Sequence, residues 1–336
     1  MSKLKYYIGI LIFGVMVSAC EDYLTVLPEN NQSSHDYWQT KEEVEAVLGA
    51  GYVELRNCVE TIFLWGEARG NGIDMPIDGT DLQKEARKLR NLRILTDNGL
   101  AKWEKIYKVV AMANSVIKYA PLVLERDPSF NENSMNSFIA EAHFLRSLSY
   151  FYLVRTFKDV PFVIEPYVDD TAPYWQPKED GEVILRSCIE DLEGSLVAAK
   201  EFFPDDDTNS KGRATRWALH ALLADIYLWF GEYDNCINHC QEVINSGRVG
   251  LISGDIWFSN FYPGNSNESI FEIQYSYILN QTNSFLTWFY NDLHYKISDY
   301  SRRLFDQDDL RGYGYTYYDI QYHKHLLLRH HLRLHI

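Results

Sequence analysis

Cysteine is scarce in this chain, positive charge is outnumbered, and no long apolar run follows the first twenty residues. Five cysteines stand in 336 residues. None forms a Cys-x-x-Cys, so neither a thioredoxin-like centre nor a zinc knuckle is supported. Lys and Arg total 32 against 47 Asp and Glu, a net charge of −15. Nucleic-acid binding rests on a concentrated positive field, so this balance argues against a nucleic-acid partner. Past the N-terminus no stretch approaches the roughly eighteen consecutive apolar residues of a membrane-spanning helix. Signatures of catalysis are missing too. There is no Gly-x-Ser-x-Gly, no His-Glu-x-x-His, no Walker loop and no Gly-x-Gly-x-x-Gly after a strand. The expectation is a chain that is not an enzyme and carries no cofactor.

Hydrophobic residues make up 46% of the chain, which excludes wholesale disorder. A chain of this length buries about three quarters of its unfolded surface, so its core needs neither disulfides nor metal. The surplus is aromatic: 24 Tyr, 17 Phe and 8 Trp give 15%. Tyr and Trp join a flat apolar face to a polar tip, which suits interfaces and sugar rings as well as cores.

The first twenty residues, MSKLKYYIGILIFGVMVSAC, read as an address. Lys3 and Lys5 make a positive start, and the twelve uncharged residues Tyr6 to Val17 are too few to span a bilayer as a helix. Small residues then precede a cysteine in Val17-Ser18-Ala19-Cys20, as in a bacterial lipobox. Residues 1–19 are therefore expected to be a lipoprotein signal peptide, with Cys20 the acylated, membrane-anchored N-terminus. An ordinary signal peptide with a chance cysteine, or an anchor helix, remains the alternative. Cleavage would remove Lys3 and Lys5 and move the charge from −15 to −17.

Helical periodicity dominates the rest. It predicts helices over 41–56 (Thr40 and Glu43 forming a capping box), 100–119, 135–157, 180–202, 214–230 and 235–246. Residues 66–81 hold four glycines and a proline and read as a loop. Residues 269–275 alternate and read as one strand. Within 214–246, Ala224-x-x-Tyr227-x3-Gly231-x-Tyr233 follows tetratricopeptide logic: a small residue lets helices approach, a tyrosine fills the seam, a glycine frees the turn. A weaker copy joins 135–157 to 180–202, so stacked helical hairpins are expected. Trp103, Trp217 and Trp229 fall on apolar stripes and are expected in the core.

Two clusters resemble metal sites. In Cys236-x-x-His239-Cys240 the cysteines share a helix face and the histidine lies to the side. The cysteines are expected to fill a helix seam as small apolar residues, with no metal. Asp205-x-Asp207-x-Asn209 matches the start of an EF-hand loop, but Ser210 and Arg216 replace the required glycine and glutamate, which weighs against calcium.

Several segments together resemble the SusD/RagB family of starch-utilisation-type outer-membrane lipoproteins. They are Cys20-Glu21-Asp22-Tyr23-Leu24; Trp103-x3-Tyr107 with Asn114-x-Val116-Ile117; Ala140-Glu141-Ala142-x-Phe144-Leu145-Arg146 through Tyr150 to Lys158-Asp159-Val160-Pro161; Arg213-Ala214-Thr215; Glu268 to Ile273; and Phe305 to Arg311. Where Lys158 or its neighbour stands, the family usually has glycine. The resemblance implies a mainly α fold, with tetratricopeptide-like hairpins in an α/α superhelix, a loop-rich ligand-binding side and few short strands. It implies a non-catalytic surface protein of the outer membrane that captures glycans, or in some branches peptides, and delivers them to a SusC-like TonB-dependent transporter.

The nutrient-binding domain is expected over 20–322. Family members run far longer and carry a late Leu-Arg-x-Ala-Glu helix, so the last third of the fold is expected to be missing. Residues 323–336 hold five of the ten histidines and no acid. They read as a frameshift product, a basic amphipathic tail or a histidine tract. A helical-repeat scaffold for peptides or proteins, a glycoside hydrolase and an inactive truncated copy are the competing readings.

Sugar binding needs an aromatic face with Asn, Asp or Arg at the hydroxyls. Trp65 precedes a loop with Arg69, Asn71 and Asp74, where the family often contacts ligand. Trp175 and Tyr174 stand between prolines. Trp288, with Phe289, Tyr290 and Asn291, lies in a second region where the family meets ligand. Trp65, Arg69, Asn71, Asp74, Trp175, Trp288 and Tyr290 are the candidate ligand-binding residues.

Overall fold

A computed structural model describes residues 37–304, apart from 78, 168–174, 204–206, 262, 277, 284–287 and 290–293; the side chains of 207–209, 258 and 302 also lie outside the description. Among the described residues, 37–39 belong to one unit and those from Thr40 to another. In the first, the Tyr37 and Trp38 rings meet edge-on at 5.3 Å.

The second unit is mainly helical. Helix α1 (Lys41–Asn57) starts where the sequence says it should: the Thr40 hydroxyl accepts from the Glu43 N–H, and the Glu43 carboxylate accepts from the Thr40 N–H at 2.8 Å. Val44, Leu48 and Leu55 are its buried stripe. Two shorter helices, α2 (Val59–Glu67) and α3 (Asp81–Arg90), are not singled out by apolar periodicity. They bracket the glycine-rich stretch, which holds the two-residue strand β1 (Ile73–Asp74). Then come α4 (Glu104–Leu124) and α5 (Glu132–Phe157), strands β2 (Val160–Pro161) and β3 (Lys178–Glu179), and α6 (Gly181–Ser195). A short α7 (Asp207–Gly212) precedes α8 (Arg216–Phe230) and α9 (Tyr233–Asn245). After the 3-10 turn Gly254–Asn260 come β4 (Lys296–Ile297) and α10 (Asp299–Arg302).

Helix α1 packs on α4, α4 on α5, α5 on α6, and α8 on α9, with α8 also touching α5 and α6. These are the expected stacked hairpins, and α5 is the central member. Its Phe144, Leu145, Leu148, Tyr150, Phe151 and Leu153 are fully buried. Each two-residue strand pair is antiparallel: β2 pairs β3, and β1 pairs β4 with Ile73 opposite Ile297. Among the described residues no helix is long and apolar enough to cross a membrane.

Two polar braces run through this core, and most of their side chains stand in the family-like segments. Arg213 grips Glu141 with two bonds of 2.8 and 2.7 Å. Tyr52 donates to the same carboxylate at 2.7 Å while its oxygen accepts from the Ala214 N–H at 2.8 Å. Burial pushes the Glu141 carboxyl up; Arg213 and Tyr52 push against it. In the second brace Arg146 donates to Asn114 at 3.0 Å and to Asp191 at 2.6 Å. Asn114 and Tyr150 both donate to the Val163 carbonyl, and Tyr107 donates to that of Pro161. Helices α4, α5 and α6 are thereby tied to the strand that leaves α5.

Lys158 caps α5 at φ 67°, ψ −80°, a left-handed conformation that favours glycine. A glycine at Lys158 or its neighbour, which the resemblance implies for the family, would meet this conformation without strain. Gly231 caps α8 at φ 73°, in the turn assigned to it.

Three expectations are corrected. Residues 269–275 form no regular strand. Glu272 makes a single bridge, its N–H donating to Lys211 at 2.7 Å, and the described residues offer no neighbouring strand to continue the ladder. Next, the cysteines do not fill the α8–α9 seam: Cys240 is exposed and Cys236 only half-buried. The helix is rotated so that His239 enters instead. Its ring stacks on Tyr227 at 5.4 Å and its Nδ1 lies 2.9 Å from Nδ1 of His220. Finally, Trp229 is 54% exposed and Trp217 and Trp103 are half-buried, because the stripes they lie on extend past the packed helix face. The EF-hand-like residues 205–209, Cys20 and the tail 323–336 lie outside the described residues or side chains.

Candidate functional site

The two candidate loops are more than two hundred residues apart in sequence, and the fold joins them. The β1–β4 pair sets Asp74 opposite Lys296. Ser298 continues the junction, its N–H donating to the Gly72 carbonyl at 3.1 Å and its hydroxyl to that of Asn71. Ser301 adds a bond to Gly72 at 3.1 Å. Glycine and serine serve here because two backbones must approach with little side chain between them.

An aromatic cluster fixes the second loop to α2. Phe63 stacks on Trp288 at 5.9 Å with the rings 23° from parallel, and it meets Phe289 and Tyr295 edge-on. The Trp288 carbonyl accepts from the N–H of Tyr295 at 2.9 Å, closing the loop on itself. Tyr295 is wholly buried and its hydroxyl points to Glu60 at 3.3 Å; burial and that carboxylate raise its phenol.

The structure therefore sorts the candidates. Trp65 is 5% exposed, with its indole N–H on the Leu100 carbonyl at 2.8 Å and its ring edge-on to Phe157. Trp288 is 7% exposed. Both are packing residues in this conformation, since neither offers an open ring face. Asp74 pairs with Arg90, which leaves it half-buried and neutralised. Arg69 and Asn71 are exposed on the same loop. Trp175 is 77% exposed and sits just before β3, on a different part of the fold from the joined loops. Tyr290, with Tyr174 and Asn291, lies outside the described residues.

Sequence reasoning missed Phe63, Tyr295 and Arg90, which hold the loops in place. The signal was weak: α2 is apolar on most sides, so periodicity does not mark Phe63, and Arg90 matters only through a partner sixteen positions away. Among the described residues no group of three or more His, Cys, Asp or Glu could hold a metal ion.

A stack of helical hairpins with a separately built loop face is the architecture of a helical-repeat binding protein. A family profile described as "Starch-binding associating with outer membrane" matches residues 22–228, more than half of the chain. The chain belongs to this SusD-like family. A SusD-like protein of Formosa agariphila is 25% identical over 284 residues, covering 81% of this chain and 53% of the relative. A SusD superfamily protein of Bacteroides thetaiotaomicron superposes with a TM-score of 0.61 at 21% identity, over 70% of this chain and 56% of that one. A laminarin-binding SusD-like protein superposes with a TM-score of 0.58 at 24% identity, over 70% and 51% of the two chains. The chain spans about half the length of the curated relatives it matches.

Proposed function

We propose that this chain is a surface lipoprotein, anchored through Cys20, that captures a glycan without breaking bonds and passes it to a SusC-like TonB-dependent transporter. The observation that carries the reading is the junction of the two loops by the β1–β4 pair beside the Phe63–Trp288–Tyr295 cluster. Such a junction makes one continuous, preorganised face out of distant segments, the arrangement that cuts the ordering cost of holding a flexible polysaccharide. On this face Arg69 and Asn71 supply donors to sugar hydroxyls and Asp74 an acceptor, while the buried Trp65 and Trp288 serve as packing; Tyr290, outside the described residues, is a further candidate for ligand contact. Trp175 stacks on an outlying part of the polymer. The family's association with starch and the outer membrane, and a relative that binds laminarin, support the ligand class and the location.

Native affinity electrophoresis of the chain against a panel of polysaccharides tests it. A sharp band retarded by one polysaccharide, with retardation weakened in Arg69→Ala and Trp175→Ala, is the expected result. A sharp band retarded by none sinks the reading and leaves a peptide or protein ligand. Anchoring is tested separately: radiolabelled palmitate is expected in the wild type and absent from Cys20→Ala.

A further inference from the structure

A cavity of about 510 Å³ lies away from the loop junction, between the segment before α7, the start of α8 and the loops after α9. Its wall includes Phe202, Trp217, Lys211, Arg248, Asn265 and Asn267. The volume suits one or two sugar rings, and aromatic faces beside side-chain amides are what a sugar ring is held by.

The charges on the wall narrow the ligand. Among the described residues the acid lining the cavity is Glu201, which is held by Arg216 at 2.7 Å and neutralised there. Arg248, exposed on the cavity wall, differs from the arginines that brace the helices. Arg146, Arg186, Arg213 and Arg216 each hold a carboxylate. Arg248 instead carries its guanidinium carbon over the Phe202 ring, 4.2 Å from the centroid, and no carboxylate pairs with it among the described residues. A guanidinium placed over a ring keeps N–H donors turned away from it, a fork matched to a carboxylate. Ring and cation together hold that fork still, so little side-chain entropy remains to be lost on binding.

We infer that this cavity is a second saccharide subsite that takes an acidic sugar, the ring against Trp217 and the sugar carboxylate on the Arg248 guanidinium. Asn265 and Asn267 are placed for the hydroxyls: the amide of Asn267 donates to the Gly250 carbonyl at 3.2 Å, and the Asn265 oxygen accepts from Gln274 at 2.9 Å, so both are oriented before a ligand arrives. The inference rests on reading the chain as a saccharide binder and adds a different site with a charge preference.

The test is calorimetric titration of the full chain with digalacturonate and with neutral galactobiose, at low and high salt. Digalacturonate is expected to bind at least about tenfold more tightly, with the margin shrinking as salt rises. In Arg248→Ala the two sugars are expected to bind alike, with partial return of the preference in Arg248→Lys. Arg248 is exposed, so these variants keep the fold, which circular dichroism checks. Equal binding by the wild type, no binding of either sugar, or a preference that survives Arg248→Ala overturns the assignment. A wild type that ignores digalacturonate yet is retarded by a polysaccharide in the gel overturns this subsite alone. A chain that prefers digalacturonate through Arg248, with Arg69→Ala and Trp175→Ala no different from the wild type in the gel, overturns the loop-face reading alone.

Discussion

The α5–α6 pair and the α8–α9 hairpin share a repeat pattern, weaker in the first, but are buried to very different degrees. Helix α5 hides fifteen of its residues, including Glu141 and Arg146. Helix α9 hides only Val243, while Tyr233, Ile237, Cys240 and Ile244 lie exposed on a stripe of helical spacing. Leu228 and Trp229 of α8 are likewise more than half exposed. In a repeat stack each unit covers its neighbour, and the last needs a polar outer face or another layer. The pattern sets which residues could pack; the number of neighbours sets which do. Recognisable sequence also sits unevenly: the family-like segments supply most side chains of the stack's braces, whereas the loop face hangs on two two-residue strands and an aromatic cluster.

Breaking the Arg213 brace is expected to have the largest effect. Arg213→Ala leaves the Glu141 carboxylate buried and unpaired, which costs about 3–5 kcal/mol. Urea unfolding measures it. The double replacement Arg213→Met with Glu141→Leu is expected to recover most of the loss, since removing both charges removes the desolvation cost. If the double variant is no better than the single, the brace does more than balance charge.

A pH titration probes the same stack. Burial holds His143 down at about 4, with Asp191 opposing and Arg146 assisting. The unfolded side chain takes up its proton from its ordinary 6.5, so between 6.5 and about 4 the unfolded state binds more protons than the native one. Stability is therefore expected to fall as pH drops through that window, by about 3 kcal/mol in all. His143→Gln is expected to flatten the curve. Burial also lowers His220 and His239 and adds loss of the same sign. A profile unchanged by the substitution locates the acid sensitivity in that second pair.

Lys158→Gly is expected to stabilise the chain by about 1 kcal/mol, because φ 67° strains a side-chain-bearing residue. Thermal unfolding reads the gain. The smallest contrast lies within α9. Ile244, 71% exposed, is expected to tolerate Ala within about 0.5 kcal/mol, whereas Val243→Ala is expected to cost more than that. Equal costs would mean that the outer stripe is covered in solution.

Most of the helices and their hairpin pairing were legible because apolar spacing and caps are local properties. Thr40 and Glu43 are three residues apart, and Gly231 needs only its own backbone. Even the family resemblance proved structural in content: Glu141 with Arg213, and Asn114 with Arg146 and Tyr150, are residues whose spacing the resemblance records and whose contacts it does not. The candidate site was legible only as a set of loops. Trp65 and Trp288 look like open rings in a string of letters because exposure depends on neighbours such as Phe157 and Phe63.

The sequence by itself determined the mainly helical class, the hairpin repeat, the start and end of the long helices and the family. All of these follow from residue identity at separations of a few positions. Only the tertiary structure decided that Asn71 meets Ser298, that His239 rather than the cysteines fills the last seam, and that Arg248 lies over Phe202. Contacts between residues far apart in the chain depend on the rotation of each helix about its axis and on which loop crosses which. A rotation of one position turns a packed face into an open one, and no local pattern encodes it.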